Sequence, residues 1–589
     1  MFPQNFYSKR FLIFVVVTAV TLILRYHESA NALAPQDYTT VPEGAQIVEC
    51  SAGVPLCTAT KFVSGLNEPE PKLGTSCAPY NDVYVPPRKL DWLLGMAAVV
   101  GALMSFGIGS NDAANSWATS VGSGAIPLVA ATLVGGLMEF LGAVALGYGV
   151  AKSIKGVAKV GDTCWRCGNC DSEMSVYMVG MFSALCAAGI FLLLCSFTSM
   201  PVSTTHAIIG GTVGITLAGQ GSRCLNWKFD GGLGGIIASW VISPVASGVI
   251  GVIAYYITKY AIVTPPKCLP GNKSIGNGRI NALVGMPIIF GLQTFVIVFL
   301  ILIKSPQVKK SVPMGQKLWI SVLCAVFLGI VSAMIMIPLV RRRLPSTLAA
   351  QDEASKAETG EANAPGAEKA EESGYHESVL ALGSSLETKK EVDYPTAADT
   401  STAAMEASEW DLMSWDERDA TYTFRYVLVF VAALEGFAHG SNDTGNATGA
   451  FSAVYQTWQE GLNTCGKPQT PVWMMAAAGA FVALGVNVLG WKVIRTIGSN
   501  LTSINFHRGF CIEFASTFTV VIATFLGMPV STTHCQVGAV VFVGVAAFGF
   551  KHVKWWLFGV IVLTWVLTLP FAGLIGAALT AGIRVAIRR

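Results

Sequence analysis

The segment Met200-Pro-Val-Ser-Thr-Thr-His206 recurs unchanged as Met528-Pro-Val-Ser-Thr-Thr-His534, 328 positions further along the chain. A second pair keeps the order and nearly the spacing: Gly109-Ser110-Asn111-Asp112-Ala113-Ala114-Asn115 and Gly440-Ser441-Asn442-Asp443-Thr444-Gly445-Asn446, 331 apart. A third, looser pair is Trp240-Val-Ile-Ser-Pro244 and Trp565-Val-Leu-Thr-Leu-Pro570. Three pairs in one order, at offsets near 330, mark an internal duplication.

Around these motifs the chain is too apolar for water. Of its 589 residues 52% are hydrophobic and only 13% charged, against about 25% charged in soluble domains. The 61 glycines follow no collagen period, and 14 cysteines are too sparse for a small disulfide scaffold. A net charge of +3 gives no bias toward nucleic acid. The chain reads as a polytopic membrane protein. Seven apolar runs (about 90–109, 126–150, 175–199, 203–219, 232–262, 280–303 and 316–340) precede a polar loop, and five (about 424–438, 472–494, 508–527, 531–549 and 553–583) follow it. Spans of this kind are helical. The expected fold is therefore all-α, with about twelve transmembrane helices. Of these, 203–219 and 424–438 are short or broken and are candidates for re-entrant or discontinuous helices.

The flanks are different in kind. Lys9-Arg10, the apolar run Phe11–Leu24 and Ala30-Asn31-Ala32 have the order of a secretory signal peptide at 1–32, with an uncleaved anchor as the alternative. Residues 33–88 then form an exoplasmic extension holding Cys50, Cys57 and Cys77. Between the halves, Arg341 to Phe424 holds eight Lys/Arg and eighteen Asp/Glu, a net charge of −10. Such a segment buries too little to offset its ordering entropy, so 341–423 reads as a disordered loop. Arg341-Arg342-Arg343 puts it on the cytoplasmic side. The divisions are 89–262 as first repeat, 263–340 as two linking helices and 424–589 as second repeat. Counting spans places Cys164, Cys167, Cys170, Cys224 and Cys465 outside with the three N-terminal cysteines. These eight can all pair as disulfides; for the Cys164–Cys170 cluster a metal or redox site is the competing reading.

The copies begin at the first and the eighth spans. Seven is odd, so equivalent motifs face opposite sides, the inverted-topology plan of secondary transporters. This holds only if 203–219 crosses the membrane. Polar side chains in apolar runs are costly and must face a cavity or a partner. Asp112 and Asp443 are hard anions suited to a cation such as Na⁺. Asn111, Asn115, Asn442 and Asn446 carry both donors and acceptors. Ser203-Thr204-Thr205 and Ser531-Thr532-Thr533 follow Pro201 and Pro529, the sequence of a helix N-terminus. Its free N–H groups and hydroxyls suit an oxyanion. His206 and His534 read either as structural hydrogen bonders or as proton carriers. Glu139 and Glu513 read either as site residues or as paired structural carboxylates.

Taken together, the paired Gly-x-Asn-Asp-x-x-Asn and Pro-Val-Ser-Thr-Thr-His motifs resemble those of the inorganic phosphate transporter (phosphate permease) family, over about 89–340 and 421–585. The resemblance implies a cation–phosphate symporter, Na⁺-coupled in some members and H⁺-coupled in others. It implies phosphate at Asn115, Ser203, Thr204, Thr205, Asn446, Ser531, Thr532 and Thr533. It implies a cation at Asn111, Asp112, Asn442, Asp443, Glu139 and Glu513, with Na⁺ on Asp112 and Asp443. Ser110 and Ser441 depart mildly from the family pattern, as does Thr444-Gly445 against Ala113-Ala114.

Other classes fit less well. No G-x-x-x-x-G-K-[ST] offers a nucleotide site for a pump, and no H-E-x-x-H suggests a metalloenzyme. No enzymatic activity and no cofactor beyond the coupling ion is expected. A channel is compatible with broken helices. Sulfate is the competing oxyanion, although monoprotonated phosphate can donate to a carboxylate such as Asp112 and sulfate cannot. The expectation is a multi-pass plasma-membrane protein, free to form a homodimer in the bilayer.

Overall fold

The computed structural model describes residues 83–351 and 409–588, apart from 114, 161–163, 166–172, 230, 266–276, 306–307, 309–310, 461–468 and 495–503, together with the pairs 56–57 and 78–79. The expected signal peptide, nearly all of the extension and most of the acidic loop lie outside these residues.

The described chain is helical. The first half holds α1 (Asp91–Asn111), α2 (Asn115–Gly122), α3 (Leu128–Leu146), α4 (Tyr148–Lys155), α5 (Glu173–Phe197) and α6 (Thr204–Gly219). It continues with α7 (Leu233–Thr258), α8 (Gly278–Lys304) and α9 (Met314–Arg341). The second half holds α10 (Trp415–Glu460), α11 (Val472–Val488), α12 (Phe506–Leu526), α13 (Thr532–Phe548) and α14 (Trp555–Ala586). Among the described residues the one strand pairing is a two-residue antiparallel ladder, Leu56 opposite Pro79 and Cys57 opposite Ala78. Among the described residues nine helical stretches are long and apolar enough to cross a membrane; α11 and α13 are shorter apolar helices. The protein is thus an all-α, multi-pass membrane protein.

One span differs from its sequence reading. The run 424–438 belongs to α10, a single helix of 46 residues that passes straight through the second Asn-Asp motif. Hydropathy ends the span there because Asn442, Asp443 and Asn446 are polar, yet these side chains are fully buried in protein and the backbone stays helical. The same motif in the first half does break the helix, between α1 and α2. Helix α10 also starts inside the stretch expected as loop. Its Asp416 accepts from the N–H groups of Gly278 and Arg279 at 2.5 and 3.0 Å, capping the start of α8. Its Asp419 accepts from the Ser346 N–H at 3.0 Å.

Packing follows the duplication. Helix α11 lies on α1, and α3 lies on α10. Both crossings are tight where the first motif glycine sits. A Cβ at Gly109 would stand 1.9 Å from the Val482 carbonyl oxygen, and one at Gly440 would stand 2.2 Å from that of Glu139. These glycines therefore serve backbone approach between helices rather than a phosphate loop. Helix α6 pairs with α14 and α13 with α7. The ends of α5 and α12 match too. Gly527 (φ 70°) closes α12 in the left-handed region, and Ser199 (φ 59°), 328 residues earlier, does so after α5. Met528 N–H then bonds back to Ala523 O, and Met200 N–H to Cys195 O, each at 2.9 Å.

Around this centre the outer helices are apolar on their open faces. Only 11% of the most apolar stretch of α9 is buried, against 72% for α10. On one end of the bundle Cys164 and Cys224 are bridged, joining the loop after α4 to the turn after α6. This pairs two of the eight cysteines expected on the exoplasmic side. Cys50, Cys77, Cys167, Cys170 and Cys465 lie outside the described residues. Cys186, Cys195, Cys324, Cys511 and Cys535 are free thiols.

Candidate phosphate and cation site

Two short helices begin at the centre of the bundle. Ser203 and Ser531 have extended backbone after their prolines, and each side-chain oxygen accepts the N–H of the histidine three residues on, at 3.3 Å. These are N-caps, worth about 1 kcal/mol each. The two N-termini face one another. Thr205 Oγ1 donates to Val530 O at 3.1 Å, and Thr533 Oγ1 donates to Val202 O at 3.2 Å. The His206 and His534 rings stand 4.6 Å apart at 89°. His206 Nδ1 bonds Trp565 O and His534 Nδ1 bonds Trp240 O, both at 3.2 Å, so the third repeated pair holds the histidines across the halves. Every one of these contacts has its mirror in the other copy.

The Asn-Asp motifs supply the side chains around those termini. Asn115 Nδ2 donates to Thr533 Oγ1 at 2.8 Å, and Asn446 Nδ2 donates to Thr204 and Thr205 Oγ1 at 3.3 and 3.2 Å. Asp112 Oδ2 accepts from Thr204 N–H at 2.9 Å and from its hydroxyl at 2.5 Å. Asp443 Oδ2 accepts from Thr532 Oγ1 at 3.0 Å. Asn111 is committed to backbone: Oδ1 accepts from Val202 N–H at 3.0 Å and Nδ2 donates to Met200 O at 2.9 Å. Asn442 Nδ2 donates to Met528 O at 3.3 Å, but its Oδ1 has no partner. The two first asparagines thus hold the extended residues that lead into α6 and α13. All fourteen residues named from sequence are at most 2% exposed, so the site is sealed from both ends of the bundle.

Five buried carboxylate and amide oxygens of the two Asn-Asp motifs lack any donor: Asp112 Oδ1, Asn115 Oδ1, Asn442 Oδ1, Asp443 Oδ1 and Asn446 Oδ1. Unmet, each costs roughly 1–3 kcal/mol. A hard cation between Asp112 and Asp443 would serve both at once. The glutamates named from sequence sit apart from each other. Glu139 Oε2 is 2.8 Å from His439 Nδ1, and His439 Nε2 is 2.9 Å from Asp443 Oδ2. Glu513 belongs to another cluster, where Thr119 donates to it and Gln536 Nε2 donates at 2.9 Å. Ser516 Oγ donates to Glu435 at 2.5 Å. His439 and Glu435 are the members that sequence reasoning missed. Glu435, His439 and Asp443 are spaced by four, which puts them on one face of α10.

Buried helix N-termini facing each other, with hard acceptors beside them in a multi-pass bundle, define a membrane transporter class. The profile of the phosphate transporter family (PHO4) matches residues 108–576. The chain belongs to this family. The phosphate-repressible phosphate permease pho-4 of Neurospora crassa is 27% identical, over 84% of this chain and 97% of its own. Sodium-dependent phosphate transporter 1 of Mus musculus is 24% identical, over 84% and 96%. A solved structure titled "The sodium-dependent phosphate transporter" superposes with a TM-score of 0.63 at 27% identity, covering 84% of this chain and 99% of that one.

Proposed function

We propose that the protein is a secondary active symporter that imports inorganic phosphate on a cation gradient, with Na⁺ as the coupling ion. The observation that carries this reading is the set of five unpartnered oxygens on Asp112, Asn115, Asn442, Asp443 and Asn446 beside two opposed helix N-termini. Na⁺ sits on Asp112 and Asp443, with Glu139 behind His439. Phosphate takes the hydroxyls of Ser203, Thr204, Thr205, Ser531, Thr532 and Thr533 and the amides of Asn115 and Asn446. Here Thr205 and Thr533 donate to backbone, Thr204 and Thr532 donate to Asp112 and Asp443, and the amides of Asn115 and Asn446 donate to threonine hydroxyls, so substrate binding exchanges those bonds for bonds to phosphate oxygens.

Coupling follows from charge. Two carboxylates and a phosphate anion in a sealed site repel at low dielectric, and uncompensated buried charge is strongly unfavourable. Cations remove that penalty, so each ligand raises affinity for the other, a reciprocal linkage. The two halves form an inverted repeat, as the mirrored contacts suggest, and movement of one unit against the other alternates access. Arg341–Arg343 puts the acidic loop in the cytoplasm, and the open faces of α9 and α14 meet lipid. The deciding experiment is uptake of labelled phosphate into proteoliposomes with external Na⁺ or choline. Concentrative uptake only with Na⁺ supports the proposal. Uptake that ignores Na⁺ and follows a pH gradient replaces Na⁺ with H⁺, and uptake of sulfate in preference to phosphate replaces the substrate.

A further inference from the structure

His439 is the one nitrogen ligand among the cation-facing groups, and it has no counterpart in the first half. At the offset of 331, Ile108 occupies its place, although Asp112 and Asp443 are equivalent. Ligand atoms of Asp112, His439 and Asp443 all lie within 4.8 Å of one another, and all three residues are buried. Asp112 Oδ1 and Asp443 Oδ1 are free acceptors. Behind the ring, Glu139 Oε2 holds Nδ1 at 2.8 Å, which fixes the imidazole with Nε2 toward the two aspartates. A carboxylate on the far nitrogen of a ligating histidine is the usual outer shell of a transition-metal site. Two ligands at about 2.0–2.2 Å from zinc lie about 2.9 Å apart at a right angle and about 3.4 Å apart at a tetrahedral angle. The 2.9 Å between His439 Nε2 and Asp443 Oδ2 is the distance of a direct ion pair, which a tetrahedral metal between them would open by about 0.5 Å. Sodium needs only oxygens, whereas imidazole suits zinc, cobalt, iron and their neighbours.

We propose that Asp112, His439 and Asp443, oriented by Glu139, form a site for a divalent transition cation of the zinc and cobalt class. The inference rests on the reading that Asp112 and Asp443 face a cation, and it adds which cations compete there. The metal lies between Nε2 and the two carboxylates, in place of Na⁺, and so holds the transporter in a non-cycling state.

The test uses the purified full-length protein in Na⁺-free choline buffer, titrated with cobalt chloride and followed by the visible ligand-field bands of bound Co²⁺. The expected result is one saturable equivalent, displaced by zinc chloride and weakened by added Na⁺. His439→Gln should weaken Co²⁺ binding by well over tenfold, and Glu139→Gln by about tenfold or more. The exposed His552→Gln should leave it unchanged. Absence of a saturable band, or wild-type affinity in Glu139→Gln, overturns the proposal. Melting temperature checks that His439→Gln is folded; a folded variant with wild-type Co²⁺ affinity also overturns it. Phosphate uptake with Na⁺ or choline is scored separately. If uptake proves independent of Na⁺ while Co²⁺ still binds through His439, the symport reading fails and the metal site stands.

Discussion

Asp112→Asn removes a charge from the site with little change of shape, so it isolates the electrostatic part of cation binding. Asp112 Oδ2 receives the Thr204 N–H at 2.9 Å and the Thr204 hydroxyl at 2.5 Å, and an asparagine oxygen in that place accepts both. Bonds of about 1.5–3 kcal/mol to a charged acceptor become neutral ones of about 1 kcal/mol. The folding loss should stay near 1–3 kcal/mol. The amide nitrogen then occupies the position of Oδ1, the acceptor that has no partner. A bound cation thus loses both a ligand and a unit charge. At about 4 Å and an effective dielectric near 20, the charge alone is worth about 4 kcal/mol, roughly a thousandfold in affinity. Asp443→Asn should lose the same cation affinity and more stability, because Asp443 also faces His439 Nε2 at 2.9 Å. The assay is the Na⁺ dependence of labelled phosphate uptake in proteoliposomes, with melting temperature as the folding control. A folded variant of either aspartate whose half-saturating Na⁺ stays within about threefold of wild type would refute the assignment.

Thr204→Val and Thr532→Val each delete a hydroxyl that now donates to an aspartate and would face phosphate, so phosphate affinity by calorimetry should fall roughly 10- to 150-fold. Unchanged affinity in both would leave these threonines as helix-end structure. Ser199→Gly should stabilise the protein by up to about 1 kcal/mol, because a serine at φ 59° carries a left-handed penalty that glycine avoids. Gly527→Ala should destabilise by a similar amount, and both are read as melting-temperature shifts. Gly440→Ala should abolish uptake by displacing the backbone of Glu139, since its Cβ would meet the Glu139 carbonyl oxygen at 2.2 Å and push α3 and α10 apart. Gly95→Ala, which has open space around it, is the control and should transport normally.

Much of this centre is legible in sequence because duplication filters noise. A polar residue in an apolar run means little alone; Asp112 with Asp443, or Thr204 with Thr532, means a shared site. The same filter hides His439. It aligns with Ile108, so a comparison of the copies discards it, and the hydropathy window ends at 438, one residue short. Glu435 escapes for the same reason, with Met104 at its equivalent position. Their spacing of four from one another and from Asp443 is the available clue, and reading α10 as one long helix makes it visible. Asn111 shows the opposite limit. Its chemistry is right for a cation, but both its polar atoms are committed to Met200 and Val202, which no pattern of residues reveals.

The division of labour between symmetric and asymmetric parts has a mechanistic consequence. The anion-facing groups come in mirrored pairs: Thr204 and Thr205 with Thr532 and Thr533, Asn446 across to the first copy and Asn115 across to the second. An anion held this way sees similar donors from either half and is not committed to one side. Apart from Asp112 and Asp443, the acids are not paired so. Glu139, Asp443, Glu435 and Glu513 all gather along α10, with His439 as the single basic group among them. In the symporter proposed above, phosphate is held by both halves and the cation by one aspartate from each, with His439 and the remaining acids gathered on one side. Most of the charge to be neutralised therefore lies beside α10, and on the proposed symport phosphate enters a sealed site only when cations have already offset the carboxylates there. On the proposed symport the binding order is cation first and phosphate second, and calorimetry should show phosphate binding to the purified protein only when Na⁺ is present.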